Sequence, residues 1–232
     1  CGGIAGSWLP TLTTHADVRV IGLCDLDPER AEGRRREYAL SDAAVGSDPA
    51  AMIDAIRPDA VVDLTIPDAH EWIACLALGK GCHVLAEKPM AADMPGAKRI
   101  LAAAEAAGRI HAVMQNRRYM PQTIRFRDAI ASRIGALAEI HVDFFVGAHF
   151  GGFRDAMEHV LLLDMAIHTI DQARFLTGLD PVAVNAVEWT PPGSWYRHGP
   201  SAMACVELTG GIRFTYRGSW CSEGGNTSWE AA

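Results

Sequence analysis

Two rhythms of apolar and polar positions divide the chain. Up to about residue 118, short apolar runs alternate with alanine-rich amphipathic stretches. Val18–Cys24, Ala60–Ile66, Cys82–Ala86 and Ile110–Met114 have the length and bounding turn residues of buried strands. The stretches between them carry helix punctuation. Asp27-Pro28 and Asp48-Pro49 each pair a capping carboxylate with a proline at the first helical position. Pro67 opens a helix over about Asp68–Leu78 that Gly79 and Gly81 close, and Asp93 caps an alanine-rich helix that ends at Gly108. Strands separated by helices imply βαβ units and a parallel sheet.

Beyond residue 118 the pattern changes. Pro121–Ser132 reads as a helix and the alternating Leu137–Val146 as a strand. Arg154–Leu176 reads as one long helix, almost apolar all round from Val160 to Ile167 and therefore buried on several sides. Val182–Trp189, Ala202–Leu208 and Ile212–Trp220 read as antiparallel strands, with Thr209-Gly210-Gly211 turning between the last two. The expected architecture is an α/β doubly wound (Rossmann) domain over residues 1–118. An α+β domain with an open, mostly antiparallel sheet follows over residues 119–232.

Composition narrows the classes of partner. Hydrophobic residues make up 49% of the 232 positions, enough for a sizeable core, and the net charge is −7. An acidic chain is a poor match for nucleic acid or an anionic membrane, both of which select a basic face. No run approaches the roughly 18 apolar residues of a membrane span. The six cysteines form no C-x-x-C pair and read as reduced core thiols, which points to a cytoplasmic setting. The chain starts at Cys1, without Met and inside a motif. The first strand of the parallel sheet and the C-terminal part of the second domain are therefore expected to lie outside residues 1–232, and these residues alone are expected to fold poorly.

Three places carry candidate chemistry. Gly2-Gly3-Ile4-Ala5-Gly6 fits the end of a G-x-G-x-x-G turn, whose glycines let the backbone approach a pyrophosphate at a helix N-terminus. Without the first glycine, it reads equally as an ordinary loop. Asp25 closes the Val18–Cys24 run 23 residues after Gly2, near the ~20 of a carboxylate that holds a ribose diol. That carboxylate favours NAD and repels the 2′-phosphate of NADP; nearby Arg30 keeps NADP as the alternative. Thr65-Ile66-Pro67 and His70 end one strand, and Glu87-Lys88-Pro89 ends the next. Ligands of such sheets gather at these carboxyl ends. His70 reads either as part of a cofactor wall or as a helix-start histidine with local hydrogen bonds, and Glu87-Lys88 reads otherwise as a solvated loop. Asp164 and His168 share a helix face at i and i+4, as a charge-stabilised imidazole or as a satisfied polar pair in a core. Asp171 and Arg174 read as a helix ion pair. A metal is not expected, because the offsets of five and four among His159, Asp164 and His168 do not put all three on one face.

Taken in order, these residues resemble the glucose–fructose oxidoreductase/inositol dehydrogenase (Gfo/Idh/MocA) family of NAD(P)-dependent oxidoreductases. The resemblance rests on Gly2-Gly3-Ile4-Ala5, on Glu87-Lys88-Pro89 as the family's E-K-P, on Gln115-Asn116-Arg117-Arg118-Tyr119, and on Asp164–Asp171 as its D-x-G-x-H-x-x-D helix. Ala166 replaces that helix's glycine, and Met157-Glu158-His159 replaces a glycine-rich stretch before it. The resemblance implies hydride exchange between a nicotinamide and a sugar, polyol or cyclitol CH–OH group. His168 would be the acid/base, Lys88 the stabiliser of the reacting oxygen and Asp164 the orienting carboxylate. Gly2, Gly3, Ile4, Asp25, Thr65, Ile66, Pro67, His70, Glu87, Lys88 and Gln115 would face the cofactor. It also implies a homodimer or homotetramer through the open sheet. The alternatives are an NAD-dependent glycoside hydrolase using the same redox site and a non-catalytic ligand-binding regulator.

Overall fold

The helix starts marked in the sequence are all present in the computed structural model, which describes residues 1–227. Asp27 accepts the Glu29 amide at the start of α2 (Pro28–Glu37), and Asp48 accepts the amides of Ala50 and Ala51 at the start of α3 (Pro49–Ile56). Asp93 caps α5 (Met94–Ala107), which stops where Gly108 takes a left-handed φ of 59°. α1 (Ala5–Thr14) follows the glycine-rich turn, and α4 (Pro67–Gly79) opens on its proline. Each cap satisfies an amide that the helix itself leaves without a partner.

The chain divides into two compact units, Cys1–Met114 and Gln115–Ala232. In the first, β1 (Gly22–Cys24) pairs in parallel with β2 (Ala44–Gly46). A second parallel sheet has the order β3 (Ala60–Asp63), β4 (His83–Ala86), β5 (His111–Val113). The runs at 60–66 and 82–86 are thus adjacent parallel strands, as expected. β1 is shorter than its apolar run because β2 offers only three residues to pair with. β2 itself gave no sequence signal: Ala44-Val45-Gly46 is too short, with a single β-branched residue. Ile53, Ala74, Ala77, Leu78, Cys82, Val84 and Ile100 pack α3, α4 and α5 onto β4, and Ala5, Leu9, Leu23 and Ala31 seat α1 and α2 on β1. All six cysteines are free.

The second unit holds α6 (Pro121–Ala129), β6 (Glu139–Phe145), α7 (Ile167–Thr177), β7 (Pro181–Trp189), β8 (Ser201–Leu208) and β9 (Arg213–Ser219). Its sheet has the order β6-β9-β8-β7. β7, β8 and β9 pair antiparallel, and β6 joins β9 in parallel. Alternation along the strands sends Val142, Phe144, Val206, Leu208, Phe214 and Tyr216 into a core with Val160, Leu161, Met165 and Trp220. The opposite side chains, including His141, Asp143, Met203, Cys205 and Arg217, form an outward face.

The helix expected over Arg154–Leu176 is not continuous. Gly152–Ala156 makes a short tight helix, His159 takes a φ of 52°, and Leu161–Ala166 makes a wide turn with i→i+5 bonding before α7 begins. The cause is a competing set of acceptors. The amides of Val160 and Leu161 donate to the carbonyls of His198 and Gly199 at 3.2 and 3.3 Å instead of to the preceding turn.

β5 brings His111 beside Asp63 and His70 in the first unit. Neither ring nitrogen of His111 has a hydrogen-bond partner among the described residues. Burial pushes its pKa below the usual imidazole range; the Asp63 carboxylate opposes the shift and His70 adds to it. The unfolded chain then takes up a proton at this position before the folded one does, so stability is full above about pH 6.5 and falls as pH drops below it. Thermal unfolding from pH 7.5 to 5 should show a shallower acid loss in His111→Phe than in the unmodified protein.

Candidate active site

In the first unit the glycine-rich turn ends in the first turn of α1. Ala5, Gly6 and Ser7 donate to the carbonyls of Gly2, Gly3 and Ile4, whereas the amides of Gly3 and Ile4 donate to no acceptor among the described residues. A Cβ added at Gly2 or Gly3 would meet nothing within 4 Å. Unspent amides at a helix start, in a cleft of about 440 Å³ bordered by Gly2, Gly3, Arg30 and Arg34, suit the pyrophosphate of a dinucleotide. Arg34 braces the turn from α2: its Nε donates to Cys1 O at 3.2 Å and its Nη2 to Gly2 O at 3.1 Å. Nothing in the sequence singles Arg34 out from the neighbouring arginines of that helix. Asp25 stands just past β1. One of its oxygens lies 2.8 Å from the Cys1 amino nitrogen, and the other accepts the Asp27 amide at 3.0 Å.

The ends of β3 and β4 carry the other first-unit candidates. Asp63, 1% exposed, accepts the amide and hydroxyl of Thr65 at 3.0 and 2.7 Å. This fixes the turn Thr65-Ile66-Pro67 and leaves Ile66 46% exposed. His70 corrects an expectation. It is fully buried, with Nδ1 at 2.6 Å from Pro89 O and Nε2 at 3.2 Å from Thr65 O. It ties the two strand-end turns together from behind and is not itself part of a cofactor-facing wall. Glu87 extends β4 by one bond, its amide donating to Asp63 O at 2.9 Å. One Glu87 carboxylate oxygen accepts the Lys88 amide at 3.2 Å, and the other accepts the indole N–H of Trp8 on α1 at 2.7 Å. Glu87-Lys88-Pro89 is therefore a frame of fixed bonds, and the loop alternative does not describe it.

In the second unit, Gln115 keeps a buried Oε1 with no hydrogen-bond partner among the described residues, an acceptor open to a ligand donor. Asp164 is 2% exposed and receives Nε of Arg154 at 2.7 Å. The Arg154 guanidinium lies over the Phe153 ring, 4.5 Å from its centroid. His168 follows in the first turn of α7 and is partly buried. Asp171, 9% exposed, is gripped by Arg118 through two bonds of 2.7 and 2.5 Å. The expected Asp171–Arg174 pair does not form; Arg174 reaches Asp180 instead. His159 points to Glu188 at 2.6 Å. Sequence reading missed Arg118, Arg154 and Trp8 as partners. Arg118 and Asp171 are 53 positions apart, and no local spacing encodes such a pairing.

Comparison with known proteins agrees with this arrangement. A family model described as an oxidoreductase family with an NAD-binding Rossmann fold matches residues 1–115, and the GFO/IDH/MocA C-terminal domain matches residues 123–231. The chain belongs to the Gfo/Idh/MocA family, and its first unit is that family's NAD-binding Rossmann domain. The inositol 2-dehydrogenase of Paracoccus denitrificans is 33% identical over 74% of this chain and 50% of its own length. The D-glucoside 3-dehydrogenase of Escherichia coli is 30% identical over 75% of this chain and 51% of its own length. The chain thus spans about half the length of these two relatives. The WlbA dehydrogenase of Bordetella pertussis, solved with NADH and UDP-GlcNAcA, has the same fold, with a TM-score of 0.87 at 21% identity over 98% of this chain and 72% of its own.

The Arg118–Asp171 pair makes a stability prediction. Removing one partner of a mostly buried pair strands the other charge, which costs about 3–5 kcal/mol when both are fully buried. Arg118 retains 32% side-chain exposure, so solvent screening reduces the cost of Arg118→Ala to about 1–3 kcal/mol. Urea unfolding should show that loss, and Arg118→Leu combined with Asp171→Leu should recover much of it.

Proposed function

We propose that the protein is an NAD-dependent oxidoreductase acting on a CH–OH group of a sugar, polyol or cyclitol. Residues 1–118 serve as the dinucleotide-binding domain and residues 119–232 as the substrate and assembly domain. The observation that carries the reading is the Glu87-Lys88-Pro89 frame at the carboxyl end of a parallel strand, the place where ligands of such sheets gather. A lysine fixed there suits stabilisation of an alkoxide. The names of the dehydrogenase relatives point to the same substrate class.

When bound, NAD takes up or returns the hydride of the reacting carbon. The amides of Gly3 and Ile4 hold the pyrophosphate, and Asp25 accepts hydroxyls of the adenosine ribose. That carboxylate selects NAD; Arg30, one helical turn on, is the residue that would admit NADP. Thr65, Ile66, Pro67, Glu87 and Gln115 line the rest of the dinucleotide. His168 removes the hydroxyl proton as the C–H hydride departs and returns it in the reverse direction. Lys88 stabilises the negative charge that develops on the oxygen, and Asp164 orients His168 and balances its charge. Among the described residues no helix is long and apolar enough to cross a membrane, and six free thiols suit a cytoplasmic setting.

The outward face of the β6-β9-β8-β7 sheet supports a homodimer or homotetramer. Val187 and Met203 are 57% and 46% exposed on it, beside the Asp143–Arg217 pair. Apolar centres flanked by both signs of charge suit a two-fold contact with a second copy. Met203→Glu should shift sedimentation velocity toward monomer at unchanged thermal stability. An unmodified protein that sediments as a monomer sinks this part of the reading.

Turnover tests the chemistry. With the full-length protein, NAD and a panel of sugars and cyclitols, absorbance at 340 nm reports reduction of the cofactor. His168→Ala should lower turnover by about 10²–10⁴-fold with NADH affinity nearly unchanged, the usual loss for a general acid/base. Lys88→Ala should cost a comparable factor, and the double variant should cost much less than the product of the two because both groups act on one oxygen. Near-normal turnover in His168→Ala removes it from the acid/base role.

A further inference from the structure

The indole of Trp8 is the one side chain from the pyrophosphate-binding helix that bonds to the lysine-bearing turn. It lies on α1 one turn past Gly3-Ile4, where the helix start presents its amides, and donates to Glu87 Oε1 at 2.7 Å across 79 positions. Glu87 has two competing uses. Its carboxylate can stay on the indole and on the Lys88 amide, as here, or it can turn toward an ammonium, the Lys88 side chain being the nearest in sequence. A carboxylate spent on a neighbouring ammonium offsets the positive charge an alkoxide needs. A charge-assisted bond of this length, partly shielded from water, is strong enough to decide between the two. The other flank of the turn is already fixed, by His70 on the Pro89 carbonyl.

We propose that Trp8 is a positioning residue: by holding Glu87 away from the Lys88 ammonium, it makes the charge of Lys88 depend on how the dinucleotide seats α1. This rests on the reading of Lys88 as the oxygen-stabilising group and of the glycine-rich turn as the dinucleotide site. A dinucleotide that engages the amides of Gly3 and Ile4 draws on the same short helix that carries Trp8. The seating of one end of the cofactor then bears on the lysine through a single chain of bonds: helix start, indole, carboxylate, lysine turn.

The test uses the full-length protein and a readout independent of turnover. Reductive methylation of Lys88, followed by mass spectrometry, reports the availability of its ε-amine with and without NADH. In the unmodified protein, NADH should change the Lys88 labelling rate by about tenfold, the scale of one hydrogen bond to a charged group. Trp8→Phe keeps the ring and deletes the donor. It should bind NADH, measured by cofactor fluorescence, within about threefold of the unmodified protein, since the pyrophosphate contacts are backbone amides. Its Lys88 labelling should no longer respond to NADH. Glu87→Gln keeps an acceptor for the indole but removes the charge that competes for Lys88. It should also lose most of the response, and combining it with Trp8→Phe should add little. A Trp8→Phe protein that binds NADH and retains the tenfold change overturns the proposal and leaves the oxidoreductase reading standing. An unmodified protein that fails to bind NADH overturns both.

Discussion

A reactive cation has to be held by bonds that do not consume its charge, and the first unit depends on meeting that constraint at the end of β4. The parallel ladder delivers residue 87 to a fixed point, because the Glu87 amide continues the pairing with β3. Beyond that point strand pairing ends and side chains take over. A buried imidazole clamps the Pro89 carbonyl to the Thr65 carbonyl, a buried aspartate closes the Thr65 turn, and an indole holds the Glu87 carboxylate. Each of these groups is costly to bury unless its hydrogen bonds are made. The turn is therefore rigid for the same reason that its supports are buried.

The second unit meets the opposite demand, acids where the chain is apolar. Asp164 and Asp171 are both nearly inaccessible, and each has its own arginine, Arg154 from the short helix before the wide turn and Arg118 from the segment before α6. Two carboxylates seven positions apart in an apolar helix would repel each other and resist burial if left bare. Separate guanidinium partners let both stay ionised. Because the arginines come from different segments, the site helix is referenced to two parts of its own unit.

Much of this was legible in the sequence, and what was not has a consistent physical character. Helix starts at Asp27-Pro28, Asp48-Pro49 and Asp93 could be read because a cap is a bond between near neighbours. The strand runs and the hairpin at Gly210-Gly211 could be read because burial alternates within a few residues. Glu87-Lys88-Pro89 and Asp164 to His168 stood out as charges in apolar company. β2 was invisible because its three residues are specified by their partner strand alone. The pairs Arg118–Asp171 and Trp8–Glu87 were invisible because side-chain geometry over 53 and 79 positions leaves no periodic trace. His70 was misjudged for the same reason: the carbonyl of Pro89, which claims its ring, belongs to another strand's turn. The break at His159 was set by carbonyls 198 and 199, equally remote in sequence.

The wide turn Leu161–Ala166 acts as an index mark on the site helix. A turn closed by i→i+5 bonds accommodates one residue more than a regular α-helical turn. Every residue before it is rotated by about 100° relative to every residue after it, compared with an uninterrupted helix. Asp164 lies inside that turn and His168 beyond it, so their relative azimuth follows the extra residue as much as their four-residue spacing. Losing a single residue there would leave both side chains in the sequence, and the D-x-x-x-H pattern could even be preserved, yet the carboxylate would swing away from Arg154 and from its setting relative to the imidazole. In such a helix the number of residues between two motif positions is no longer a measure of the angle between them.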